Sequence, residues 1–186
     1  HDENLIGFDT GPGNALINDW IQKNTGAVYD INGLRASKGR VHDDIVGELL
    51  KHPYFAAPNP KSLDRNFFKH LSEIAVAHLS VEDGAATLSA FTIKSITNAI
   101  HNLSKPFKKC IVAGGGRHNA FLMAGLKESF PYQLISSDDA GLSGDAIEAQ
   151  AFAFLAVRSR LNLPISFPGT TGVSKPLSGG VFHPKG

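Results

Sequence analysis

Cysteine is nearly missing from this chain. Cys110 carries the one thiol among 186 residues, so no disulfide closes within the chain and no Cys-x-x-Cys metal pair exists. It lies in the apolar run Cys110-Ile111-Val112-Ala113 and reads as a small buried residue rather than a nucleophile. Long hydrophobic runs are also missing. None approaches the ~20 residues of a membrane-spanning helix, and no signal-peptide pattern occurs, so no membrane partner is expected. Neither sign of charge dominates, with 18 Lys and Arg against 17 Asp and Glu and a net charge of +1. The densest basic cluster, Lys105, Lys108 and Lys109, reads as the solvated approach to a strand. That balance argues against nucleic acid as the main partner. His70, His78 and His101 stand singly, no HExxH spacing occurs, and no protein ligand to a metal is assigned. The composition fits a reducing cytoplasm.

What is present is enough to bury a core. Hydrophobic residues make up 42% of the chain, which suits one good-sized domain or two small ones without metal or disulfide staples. His1 stands where an initiator methionine would, directly before an expected strand, which reads as a piece of a longer protein.

The most informative stretch is Gly7-Phe8-Asp9-Thr10-Gly11-Pro12-Gly13-Asn14. Leu5, Ile6 and Phe8 read as a strand end, with Asp9 where the strand should stop. Gly11, Pro12 and Gly13 force a turn, and Asn14 suits the N-cap of a helix whose apolar face is Leu16, Ile17, Trp20 and Ile21. Strand, glycine turn and helix start leave backbone N–H groups facing one small space, which suits a phosphate. Asp9 then stands at its lip, where a general base could act. Asp and Asn beside glycine also simply close turns. No lysine follows the glycines as in the GxxxxGK[ST] loop, so spacing alone supports an anion site with a carboxylate beside it.

Further along, Val41 to Lys51 reads as a helix ended by His52-Pro53, and 53–62 as an ordered proline-rich loop with packed aromatics. Lys61, Ser62 and Arg65 are either ligand contacts or solvated loop charges. Asn66 to Leu79 is expected to be helical with Phe67, Leu71, Ile74 and Val76 inward. Ser80-Val81-Glu82-Asp83 is a capping pattern opening a helix to about Asn102, with Leu88, Phe91, Ile93, Ile96 and Ile100 on its apolar face. Residues 109–136 read as a βαβ unit in which Gly114, Gly115 and Gly116 separate the strand at 109–113 from the helix at 119–126. Three glycines there let a ligand lie against the backbone, or form a tight turn with no ligand. A dinucleotide fingerprint would want glycine where Asn119 stands. The helix Ala146 to Leu161 carries Glu148 in its first turn, where the macrodipole favours acids, and its alanines suggest a close-packed central element. Turns at Thr170-Thr171-Gly172 and Ser178-Gly179-Gly180 flank an expected last strand near Val181-Phe182.

These motifs together resemble the C-terminal half of the anhydro-N-acetylmuramic acid kinases. The carrying segments are Gly7 through Asn14, Pro53-Tyr54-Phe55, Pro58-x-Pro60-Lys61-Ser62, Ala113-Gly114-Gly115-Gly116-x-x-Asn119 and Ser143-Gly144-Asp145-x-x-Glu148-Ala149-x-Ala151-Phe152-Ala153, with Thr171-Gly172 near the end. Where the family reads Lys-Ser-Thr-Gly-Arg, this chain has Lys61-Ser62-Leu63-Asp64-Arg65. The resemblance implies an α/β fold of the ribonuclease H-like (actin-like ATPase) kind, a mixed sheet flanked by helices, with residues 1–186 forming the C-terminal lobe of a two-lobe sugar kinase whose N-terminal lobe is absent. It implies ATP, with Mg²⁺ carried by the nucleotide, and an anhydro-sugar substrate whose 1,6-anhydro bond is hydrolysed and whose O6 is phosphorylated in cell-wall recycling. Asp9 would be the general base. Thr10 and Glu148 would face the sugar. Gly11, Gly13, Asn14, Gly114, Gly115, Gly116 and Asn119 would hold the nucleotide. The resemblance leaves a homodimer open. Two alternatives remain: a lobe that binds nucleotide or sugar without chemistry, and an ATPase lobe of the chaperone or actin type.

Overall fold

A computed structural model describes residues 5–64, 66–103 and 107–184. Arg65 and Lys105, singled out above, lie outside the described residues. The chain is mixed α/β and divides into two compact units. The larger comprises residues 10–56 and 63–144, and the smaller residues 1–9, 57–62 and 145–186.

The larger unit holds the core. Its elements are α1 (Ala15–Thr25), α2 (Asp43–Leu50), α3 (Lys69–Val76), α4 (Val81–His101), β1 (Lys109–Val112), α5 (Ala120–Ser129) and β2 (Gln133–Ser136). Helix α4 is its spine. Ser80 caps it as the sequence pattern requires, its hydroxyl accepting from the Asp83 N–H at 3.0 Å, an arrangement worth about 1 kcal/mol. Leu88, Phe91 and Ile93 are buried along it, against Leu16, Ile17, Trp20 and Ile21 of α1. The Trp20 indole donates to the Val81 carbonyl at 2.9 Å. Strands β1 and β2 pair in parallel, Cys110 opposite Leu134, with α5 as the crossover between them. The βαβ expectation therefore holds. Among the described residues these two parallel strands form the whole sheet, not the mixed one anticipated. Cys110 is half-buried and its thiol is pushed up by burial, in keeping with a packing role.

Helix α3 corrects the sequence reading. Phe67, Leu71 and Ile74 are exposed, and the buried face is Phe68, Ser72 and Val76. Val76 is inward as expected, while Phe68 and Ser72 take the places expected of Phe67 and Leu71, and the Ser72 hydroxyl is satisfied by donating to the Lys69 carbonyl at 3.0 Å. Phe68 anchors an aromatic cluster, stacked on Phe55 at 5.3 Å and edge-on to Phe91 at 5.7 Å. The loop aromatics Tyr54 and Phe55 are thus ordered as expected.

The smaller unit contains α6 (Ile147–Arg160) and a helical turn, α7 (Pro168–Thr171). Among the described residues, none of its hydrophobic side chains is fully buried. Helix α6 is therefore not the central element that its alanines suggested. Phe152 and Phe154 are 69% and 60% exposed. An apolar helix needs cover on more than one side, and no described element of this unit supplies it. Two other expectations fail for lack of a pairing partner. Residues 5–8 form no strand, being held by single backbone bonds such as Gly7 N–H to the Gly169 carbonyl at 3.0 Å. Val181-Phe182 is exposed and unpaired in any ladder, and the isolated bridge joins Ser166 to Leu177 instead.

Candidate functional site

Two glycine-bearing segments meet in the larger unit. The first is the turn Gly11-Pro12-Gly13, pressed onto α4. A Cβ on Gly11 would stand 2.6 Å from Ser95 Oγ, so a larger residue would push that hydroxyl off its bond to the Thr92 carbonyl. Gly13 has φ +58, a conformation that disfavours side chains. Its carbonyl accepts from Thr92 Oγ1 at 2.8 Å, worth about 0.5–1.5 kcal/mol. Thr92 and Ser95, with Ser89 one turn earlier, are buried hydroxyls on an otherwise apolar face. Their spacing of three was the signal for this docking, and sequence reasoning passed over it. Among the described residues, the N–H groups of Gly13 and Asn14 have no hydrogen-bond acceptor.

Asn14 occupies the N-cap position of α1 but does not cap it with its side chain. The amide turns instead toward Gly116, whose Cβ, if it had one, would lie 3.2 Å away. The second segment, Gly114 to Gly116, leads from β1 through a 3-10 turn into α5. Asn119 caps that helix, its Oδ1 accepting from the Leu122 N–H at 3.1 Å. Its buried amide is thereby committed to holding the loop. A side chain on Gly114 or Gly115 would meet open space. On the Gly115 side lies a pocket of about 440 Å³, bounded by Asn14 and Asn18, by the loop 29–32, and by Gly115, His118 and Asn119. Its size falls in the range of small-molecule sites, roughly 300–1,000 Å³. A second cavity of about 330 Å³ reaches Gly13, Asn14 and Gly116 from the side of Ile96 and Val112.

The glycine loop is braced by an ion pair that the sequence did not reveal. Arg117, almost wholly buried, donates through Nε to Asp138 Oδ2 at 2.6 Å and through a terminal nitrogen to the Gly114 carbonyl at 3.1 Å. Asp138 Oδ1 accepts from the Gly144 N–H at 3.1 Å. The Arg117 guanidinium and the Gly144 N–H hold the Asp138 carboxyl below the usual carboxylate range. A lowered folded value means that this group adds stability above its ordinary pKa of about 3.9, and the contribution is lost as pH falls through the folded value. Asp138→Asn should therefore flatten part of the acid limb. In urea titrations from pH ~6 to ~2, the variant's midpoint should fall less below pH ~4 than that of the native chain. Parallel curves would remove the pair from the acid response.

The remaining candidates divide between the units. Thr10, half-buried, begins the larger unit. Asp9 and Glu148 belong to the smaller one and are both exposed. The Asp9 N–H donates to the Lys61 carbonyl at 3.0 Å, which fixes the backbone beneath the carboxylate. Burial pushes the Lys61 ammonium below the usual lysine range. Glu148 lies in the first turn of α6. The structure thus brings Asn14, Gly115 and Asn119 around one pocket, and places Asp9 and Glu148 in the other body.

An α/β chain with Asn14 and Gly115 lining a pocket of this size has the dimensions of the small-molecule-site class. A family model described as Anhydro-N-acetylmuramic acid kinase matches residues 1–185. A protein of that name from Zymomonas mobilis is 50% identical over 183 residues, covering 98% of this chain and 49% of the relative. Those from Methylobacterium nodulans and Rhodospirillum rubrum are 48% and 45% identical, covering 95% and 98% of this chain and 46% and 48% of the relatives. The chain belongs to the anhydro-N-acetylmuramic acid kinase family, and spans about half the length of the curated relatives it matches.

Proposed function

We propose that this chain is one lobe of an ATP-dependent sugar kinase of the ribonuclease H-like kind. The kinase opens the 1,6-anhydro bond of 1,6-anhydro-N-acetylmuramic acid and phosphorylates O6, giving N-acetylmuramic acid 6-phosphate in cell-wall recycling. The observation that carries this reading is the meeting of the two glycine segments at Asn14 and Gly116, beside a pocket of about 440 Å³. Gly13 and Asn14 offer backbone N–H groups with no acceptor among the described residues, which suits phosphate oxygens. Gly114 and Gly115 leave room for a nucleoside against the backbone.

Asp9 acts as the general base. Its exposed carboxylate takes a proton from water, and the water oxygen bonds to the anomeric carbon. The bond from that carbon to O6 breaks, and O6 receives a phosphoryl group. ATP, with Mg²⁺ carried on its phosphates, supplies that group and leaves as ADP. Thr10 and Glu148 orient the sugar. Phosphoryl transfer depends on positioning and charge neutralisation, which a lobe by itself supplies only in part.

The exposed face of α6 supports the one-lobe reading. Phe152, Val157, Val181 and Phe182 line an open hollow of about 800 Å³ within the smaller unit, and each is more than half exposed. The relatives are about twice as long, and their further half would supply the cover. The test is ADP release with and without 1,6-anhydro-N-acetylmuramic acid. A family-length protein carrying this sequence should release ADP only with the sugar, and the 186-residue chain should release none. Sugar-independent ADP release would sink the kinase reading, and turnover by the chain alone would sink the one-lobe reading.

A further inference from the structure

The loop between α1 and α2 combines a rigid interior with apolar side chains held outward. Asp30 is buried, and its two carboxylate oxygens accept from the N–H groups of Arg35 and Ala36 at 2.9 and 3.0 Å. The Gly33 N–H closes the turn onto the Asp30 carbonyl at 3.1 Å, and that of Leu34 onto Ile31 at 3.1 Å. Gly33 has φ +69, and a Cβ there would stand 2.6 Å from the Phe121 Cβ and would collide with Asn119 Oδ1. The loop is therefore clamped directly onto the start of α5, the helix that the triple-glycine segment opens. Its Tyr29 and Ile31 are nonetheless 54% and 64% exposed, although burial would stabilise both. Together with Asn32 they line the pocket of about 440 Å³, as do Gly115 and His118.

A loop held by four backbone N–H groups, with an aromatic ring, a branched aliphatic and an amide lining one pocket, makes a surface for a flat, polar-edged ring. A purine has an apolar face that stacks on tyrosine and an edge that pairs donor and acceptor with a side-chain amide. We propose that Tyr29, Ile31 and Asn32 form the base-recognition wall of the nucleotide site. Tyr29 and Ile31 take the ring face, and Asn32 reads the edge. This inference rests on the nucleotide reading of the glycine segment but assigns residues that the resemblance does not reach. It also gives Asn32 its reason for φ +54, a conformation that asparagine tolerates better than most residues.

The test measures dissociation constants for ADP, GDP and tripolyphosphate in a family-length protein carrying this sequence. Tyr29→Ala should weaken ADP binding roughly 5- to 150-fold, as loss of one base–aromatic stack does. Tyr29→Phe should retain it, and tripolyphosphate binding should not change in either variant. Asn32→Gly, which keeps the left-handed backbone, should reduce the preference for ADP over GDP. Val28→Ser, an exposed apolar change outside the pocket, should do nothing to any of the three. Native ADP affinity in Tyr29→Ala and Asn32→Gly, combined with loss in Gly115→Val, would overturn the wall and leave the nucleotide reading standing. Native affinity in Gly115→Val as well would overturn both. Equal losses of ADP and tripolyphosphate in Tyr29→Ala would mean a collapsed loop and would also overturn the wall.

Discussion

Asp9→Asn, made in a family-length protein carrying this sequence, is expected to lower turnover by roughly two to four orders of magnitude while leaving ATP affinity within about twofold. Asparagine keeps the size and the backbone bond to the Lys61 carbonyl, so the extended segment should hold its place. What it removes is the proposed proton acceptor. Water at neutral pH is a poor nucleophile, and general-base assistance supplies rate enhancement of that order. The glycine turn that would hold phosphate belongs to the other unit and is anchored by Thr92 and Ser95. Nucleotide binding should therefore be insensitive to the change. Isothermal titration with ATP and steady-state ADP release separate the two effects. Turnover within tenfold of the parent would take Asp9 out of the reaction, and a parallel loss of ATP affinity would make it a binding residue.

Phe68→Ala should produce the largest loss of stability available from one side chain in the core. Phe68 is among the largest fully buried residues, and the rings of His52, Tyr54, Phe55, Phe67 and Phe91 lie around it. Such an enclosed site collapses poorly, because its walls are planar rings held by several elements. Truncation to alanine typically costs about 3–5 kcal/mol, from lost transfer energy and the cavity left behind. For a chain of this size that corresponds to a drop in Tm of roughly 6–20 °C. Trp20, the only tryptophan, is buried in the same core and reports the transition by fluorescence. Phe68→Leu should lose markedly less, since it fills most of the space. A Phe68→Ala midpoint within about 2 °C of native would mean that the cluster repacks and that the ring contacts contribute little.

Local chemistry was readable along the chain wherever neighbours in sequence satisfy one another. The Ser80 cap needs only Asp83, and the Gly11-Pro12-Gly13 turn needs only its own dihedrals. The parallel pairing of β1 with β2 follows from a short crossover. The family motifs lie in such local stretches too, which is why the resemblance was visible without coordinates. Where the reading failed, the deciding partner was distant in the sequence or absent from the described residues. Asn14 left its cap because Gly116, about a hundred positions later, offers an opposing surface. Phe68 rather than Phe67 faces inward because Phe55 and Phe91 wait on that side.

The order of elements in the larger unit, the two glycine segments and the identity of the family were therefore contained in the amino-acid order, since each depends on backbone preferences and short-range periodicity. That Asn14 and Gly115 line one pocket, that Arg117 and Asp138 brace its glycine loop, and that the loop at Tyr29 walls it came from folding alone. Long-range contact depends on which surfaces exclude water together, and no local pattern encodes that. Helix α6 marks the boundary between the two kinds of knowledge. Its composition asks for burial, and among the described residues its own unit has nothing to bury it against.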